Sequence, residues 1–342
     1  MFTMEAKVTI NNGSGKYLAP MLLALMLMAL ALVSCGGADQ GGDKRLKLAG
    51  IVFQEDQFFR LIQFGMQHAA DSAGVELLLA NSDGKPDKEI QLVNTYVTRK
   101  VDAIVISPLS ATASVTALKR AREQDVAVVT YNSAVQGDIA VAHIESDQSD
   151  LGRQTGQVAR RYIEERLGGK AKVAVLAFKS QLPESSNGRR NGFVEEVAKL
   201  PGVEIVAEQD AWLAEMAIKK VGDILTANPD LDILWAANEG GTVGAVMAVK
   251  NAGKGEQVAV FGTDTSAQLI DFLLSGDGIL QAITGQQPFA IGSSAVRTAL
   301  TALKGGHVAA TVSMAGVLLR RDAPEEIHAF RAELTRLMAQ GD

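Results

Sequence analysis

From residue 46 onward, short apolar runs alternate with longer stretches in which apolar positions recur every three to four residues. The run at 48–53 predicts a strand, and 58–73 a helix closed by Gly74. Strands follow at 75–80, 102–106 and 126–130, with helices at 86–100 and 111–124 between them. A second series has helices at 148–167, 186–200, 213–227 and 242–251. Its strands fall at 172–177, 203–207, 233–236 and 258–261. The strand runs are continuous in Val, Ile, Leu and Ala rather than alternating, as required when helices cover both faces of a parallel sheet. Strict strand–helix order implies right-handed crossovers and open, doubly wound α/β sheets. There are too many such units for one modest sheet, so the pattern divides into two lobes.

The region before this pattern is of another kind. Lys7 and Lys16 precede a purely apolar run at 21–33, too short for a comfortable membrane span but suited to the core of a signal peptide. The run ends in Leu32-Val33-Ser34-Cys35-Gly36, which looks like a bacterial lipobox. Residues 1–34 are therefore expected to be a lipoprotein leader, with Cys35 as the lipidated N-terminus of an exported, membrane-anchored protein, in the periplasm or at the cell surface. Residues 35–45, rich in Gly and Asp, would form a flexible tether.

Composition narrows the function. The chain has 342 residues and a net charge of −6, so it offers no basic footprint for nucleic acid. A single cysteine allows no internal disulfide, and the four histidines lack metal spacing. There is no Walker loop, no dinucleotide fingerprint and no nucleophile elbow, so no enzyme and no cofactor is expected.

In open parallel sheets, ligands sit beyond the carboxyl ends of the strands. Those positions hold Asp56, Phe58 and Phe59; Asn132; Asn187; Trp212; Asn238; Asp264; and Gln286. Each acid or amide taken alone also suits a helix cap or turn. Together they suit a neutral polyhydroxylated ligand. Carboxylates and amides satisfy hydroxyls as acceptors and donors, and aromatic rings stack on the C–H faces of a sugar ring.

With those residues laid out, about 46–319 resembles the type I periplasmic sugar-binding proteins, the ribose- and galactose/glucose-binding receptors of ABC importers. The resemblance rests on ordered motifs: Gln57-Phe58-Phe59, Ile106-Ser107-Pro108, Thr130-Tyr131-Asn132 and His143-Ile144-Glu145-Ser146-Asp147. Asn191-Gly192-Phe193, Leu234-Trp235-Ala236-Ala237-Asn238 and Gly262-Thr263-Asp264 follow. It implies two doubly wound lobes joined by a three-strand hinge, with crossings near Ser146-Asp147, Gln286-Gln287 and Ala315-Gly316. The N-terminal lobe would then take 46–146 and 287–315, and the C-terminal lobe 147–286 and 316–342. It further implies that Phe58 and Trp212 form a ring-stacking pair, and that Asp56, Asn132, Asn238, Asp264 and Gln286 bind hydroxyls. The family's arginine before the Gly-Phe pair is best matched by position 187, an asparagine here. On that alignment the site lacks a fixed cation.

The expected protein is a monomeric receptor for a small neutral sugar that delivers it to an ABC permease. A receptor reporting to a membrane sensor would use the same lobe surfaces. A repressor-type regulator, which shares the two-lobe core, would need a helix-turn-helix where the leader stands. Ile327, Phe330, Leu334 and Leu337 recur at helical spacing after Pro324 and predict a final amphipathic helix packed on its own domain.

Overall fold

The computed structural model describes residues 45–339, so the leader and Cys35 lie outside the described residues. The first lobe opens with β1 (Lys47–Val52), α1 (Gln57–Ala73), β2 (Glu76–Asn81) and α2 (Pro86–Thr98). It continues with β3 (Ala103–Ile106), α3 (Val115–Glu123), β4 (Ala127–Tyr131) and β5 (Ala142–Ser146). The second lobe begins with α4 (Gln148–Arg166), β6 (Lys170–Ala177), α5 (Pro183–Val197), β7 (Gly202–Asp210) and α6 (Ala214–Ala227). Then come β8 (Ile233–Ala236), α7 (Glu239–Asn251), β9 (Ala259–Thr263), α8 (Ala267–Leu274) and β10 (Leu280–Gly285). The chain closes with α9 (Pro288–Leu303), β11 (Thr311–Met314), β12 (Val317–Arg320) and α10 (Pro324–Met338).

These strands form two six-stranded sheets, ordered β11-β5-β4-β3-β1-β2 and β12-β10-β9-β8-β6-β7. The two orders superimpose one to one, so β1 to β5 correspond to β6 to β10. All pairings are parallel except β10 with β12. The expected two-lobe α/β plan is the one found. The chain passes between the sheets after Ser146, after Gly285 and between Met314 and Val317.

Central strands are buried on both faces. In β8, Leu234 and Ala236 join one apolar cluster while Ile233 and Trp235 join the cluster on the opposite face. In β1, Leu48 and Val52 face one way and Ala49 and Ile51 the other. Each fully buried side chain of this size stabilises the fold by roughly 1.5–3 kcal/mol. Trp235 stacks on Phe193 at 4.7 Å and donates its indole N–H to Thr155 Oγ1 at 3.0 Å, so this tryptophan belongs to the core.

One helix pair in each lobe packs at backbone contact. A Cβ on Gly65 of α1 would stand 2.0 Å from the Phe289 carbonyl oxygen, and one on Gly152 of α4 would stand 1.7 Å from that of Arg189. Neither position admits a side chain without moving a helix.

Several elements escape the sequence pattern. Strand β5 reads as alternating polar and apolar residues, and only its pairing with β4 and β11 makes it a strand. Helices α8 and α9 carry weak signals: α8 is only eight residues long, and the first half of α9 includes Gly292, Ser293 and Ser294.

Candidate functional site

The site is built from strand ends, and the C-terminal lobe supplies its most connected part. Asp264 follows β9 and holds φ of 77°, a left-handed conformation uncommon for non-glycine residues but tolerated by Asp and Asn. Its Oδ2 accepts from the Glu239 backbone N–H at 2.9 Å, at the first turn of α7. Its Oδ1 accepts from Arg189 Nη1 at 3.3 Å. Asn238 caps the same helix: Oδ1 accepts from Gly241 N–H at 3.2 Å and Nδ2 donates to the Trp212 carbonyl at 2.9 Å. That bond ties the loop carrying Trp212 to the start of α7. The Trp212 ring packs against the lobe's core yet stays partly exposed.

Arg189 changes the expected chemistry. The sequence alignment put Asn187 at the inward position, but Asn187 lies exposed on α5. Arg189 points inward instead, with its side chain only 6% exposed. Nη1 also donates to the Ala237 carbonyl at 2.9 Å, Nε donates to Gln148 Oε1 at 2.8 Å, and the guanidinium carbon sits 5.3 Å from the centre of the Phe178 ring. The candidate site therefore holds a fixed cation, paired with Asp264. The signal was present in the sequence: a helix places position 189, four residues before Phe193, on the face of that buried ring.

The N-terminal wall is looser. Asp56 caps α1 by accepting from Phe59 N–H at 2.9 Å, and its carboxylate also receives Gln54. Phe58 is half-buried and meets Phe59 edge to face at 5.3 Å. Phe59 does not reach the cleft: at 3% exposed, it is a core residue packed with Phe53. Two adjacent helical positions cannot share a face, so one ring goes inward and the other outward. Asn132 follows β4, is exposed, and has φ of 59°. Its one side-chain bond to a described group is Nδ2 to Ser107 Oγ at 3.4 Å.

Asn132 and Asp264 occupy equivalent places. Each follows the third strand of its sheet in the left-handed region, and each backbone N–H bonds the next strand over: Asn132 to Ile144 at 2.9 Å, Asp264 to Thr284 at 2.6 Å. Both residues are of the kinds that tolerate the left-handed region, and the shared strand order of the two sheets places them at matching points. At the inter-sheet crossing, Gln286 accepts from Ser146 Oγ at 2.9 Å, bonding one crossing segment to another.

A cavity of about 530 Å³ is lined by Asp56 and Phe58 from the first lobe, Asp264 from the second and Gln286 between them. Asn132, Trp212, Asn238, Asn187 and Phe59 lie outside its lining. Among the described residues, no group of three or more His, Cys, Asp or Glu side chains could hold a metal ion, and no helix is long and apolar enough to cross a membrane.

Comparison with known proteins places the chain in a family. Residues 51–307 match the family model of the periplasmic binding protein domain. The chain is 31% identical over 267 residues to the ABC transporter periplasmic-binding protein YphF of Escherichia coli, covering 76% of this chain and 80% of that one. It is 30% identical over 292 residues to the ribose import binding protein RbsB of Escherichia coli, covering 84% and 94%. Among solved structures, a solute-binding protein from Actinobacillus succinogenes with bound D-allose aligns with a TM-score of 0.71 at 23% identity, over 82% of this chain and all of that one. At that identity the structural match speaks to the fold. Family model, relatives and fold agree: the chain is a type I periplasmic binding protein, in the family of sugar receptors that includes the ribose-binding proteins.

Proposed function

We propose that this chain is the substrate-binding lipoprotein of an ABC-type sugar importer, exported behind a leader at 1–34 and held to the membrane through Cys35. It binds a neutral monosaccharide or polyol between its lobes, passes it to a permease, and performs no chemistry on it. The observation that supports the reading is Asp264, which lines one cavity with Asp56 and Phe58 of the other lobe and is held at the strand end by Arg189 and by the start of α7, the helix that Asn238 caps. Asp264 and Asn238 each keep acceptor capacity beyond their internal bonds, and Arg189 keeps its Nη2 donors, so sugar hydroxyls find both partners they need. Pairing with Asp264 neutralises Arg189, which disfavours anionic ligands. The sugar-binding relatives support the same class.

Binding favours closure because a sugar gains its second wall only when the lobes approach. Thermal denaturation of residues 36–342 with monosaccharides and polyols tests this. A ligand at a hundred times its Kd adds about 2.7 kcal/mol to stability. The expected result is a rise in Tm with at least one neutral sugar and none with sugar phosphates. Stabilisation by a phosphorylated sugar alone would refute the reading.

A further inference from the structure

The third crossing between the sheets is held from two sides at one peptide. Ala315 and Gly316 link β11 of the first sheet to β12 of the second. The Ala315 carbonyl accepts from Gln287 Nε2 at 2.9 Å; Gln287 starts α9, which packs into the first lobe's core through Ile291 and Ala295. The Gly316 N–H donates to Asp150 Oδ2 at 3.0 Å; Asp150 belongs to α4, which packs into the second lobe's core through Ala159 and Ile163. That carbonyl and that N–H are the two ends of one planar unit. It cannot follow both helices when the lobes rotate.

The second lobe has the firmer grip. Gln154, one turn along α4 from Asp150, donates Nε2 to the Gly316 carbonyl at 3.0 Å, so both backbone groups of Gly316 are bonded to α4. The same Nε2 donates to Asp150 Oδ2 at 2.5 Å, and Arg153 Nη2 donates to Oδ1 at 2.8 Å. Burial would raise the pKa of Asp150, but the bonds from Arg153, Gln154 and the Gly316 N–H outweigh it and hold the carboxyl below its ordinary value. At neutral pH the group is therefore ionised and accepts only. A Cβ at 316 would stand 2.6 Å from the Leu151 side chain, so a glycine lets the crossing lie this close to α4. Against this, the first lobe sets the Gln287 bond.

We propose that Asp150 is a positioning residue for ligand binding: it pins Gly316 to α4, confines the swing of the lobes at this crossing to the torsions before that residue, and so sets affinity from outside the cavity. Neither Asp150 nor Gln154 lines the cavity. The proposal rests on the reading that the ligand binds between the lobes. Without the pin, ligand-free molecules spread over more lobe arrangements. Fewer of them are competent to bind, and the apparent Kd rises as that fraction falls.

Interlobe distances in residues 36–342, which contain every described element and no cysteine, test this. Spin labels at Lys119→Cys on α3 and Lys219→Cys on α6, both exposed, are read by double electron–electron resonance. Asp150→Ala should widen the ligand-free distance distribution. By isothermal titration it should raise Kd about fivefold for whichever of D-ribose, D-allose, D-galactose and D-glucose binds the parent. Asp150→Asn keeps an acceptor for the Gly316 N–H but loses the ion pair with Arg153, and should restore most of both. An Asn variant as impaired as the Ala variant would assign the effect to the ion pair and overturn the proposal. So would an unchanged distribution in Asp150→Ala, or a widened one with unchanged Kd. If Asp150→Ala fails to fold, Gln154→Leu, which removes the other bond to Gly316, decides by the same two readouts. If none of the four sugars binds, the sugar reading falls, and the ligand-free distribution still decides on the pin.

Discussion

The two lobes share one plan and spend it differently at the cleft. Asn132 and Asp264 are equivalent in sheet position, in left-handed backbone and in the bond their N–H makes to the next strand. Asp264 is fixed by Arg189 and by the start of α7, whereas Asn132 rests on one long bond to Ser107. The C-terminal wall is thus built before ligand arrives, and the N-terminal wall is left to adjust. Preorganised groups lose little entropy on binding, so that wall should carry most of the affinity. The looser wall should contribute through closure.

This asymmetry orders the expected effects. The largest comes from the Arg189–Asp264 pair. Asp264→Ala leaves Arg189 without its carboxylate partner and removes an acceptor from the ligand. Losing a hydrogen bond from a charged group typically costs about 1.5–3 kcal/mol, so sugar affinity measured by titration should fall by roughly tenfold or more. A loss below about fivefold would show that Asp264 is only a helix-start residue. Trp212→Ala comes next. Its ring packs against the core yet stays partly exposed; if its exposed face stacks on the ligand, affinity should drop about tenfold through lost stacking, with a moderate fall in Tm of the sugar-free protein. A fall in Tm with unchanged affinity would assign the ring to the core alone. Asn132→Gly should act least on binding and in the opposite direction on stability. Glycine takes φ near 59° without strain. Calorimetry should show Tm unchanged or slightly raised and affinity reduced severalfold; an Asn132 effect as large as that of Asp264 would abolish the asymmetry.

A pH test probes the N-terminal lobe near the hinge. His143 lies in β5, bonded to Thr130 Oγ1 at 2.9 Å, with Glu145 3.6 Å away. Burial holds its pKa below the ordinary value of 6.5, against the opposing pull of Glu145. The unfolded chain therefore binds a proton at higher pH than the folded one does. Stability from this group is full above pH 6.5 and declines as pH falls through the unfolded value towards the depressed folded one. His143→Gln should flatten the Tm-versus-pH curve between about pH 7 and 5 relative to the parent. An unchanged slope would show that other groups govern that range.

Much of this was legible in the chain. Continuous Val/Ile runs revealed both sheets, because strands covered on two faces leave no room for polar residues. Asp264 and Asn238 stand at strand ends, where open α/β sheets place ligand groups, and the sequence pattern put them there. Phe59 was misplaced because a Phe-Phe pair does not say which ring faces the core. Arg189 was passed over for a related reason: the two steps from Asn187 to Arg189 turn the side chain by about 200° around the helix, so aligning on Asn187 put the cation on the wrong face. That α10 also lines the cavity, through Phe330, Glu333, Leu334 and Leu337, was not legible, because amphipathic spacing predicts a buried face and not which partner buries it.

The most direct test is a crystal structure of residues 36–342 with whichever neutral sugar or polyol raises Tm most. The account predicts a ligand held between Phe58 and Trp212, with hydroxyls bonded to Asp264, Asn238 and Arg189. A ligand bound elsewhere, or one touching a single lobe in a fully closed molecule, would contradict it.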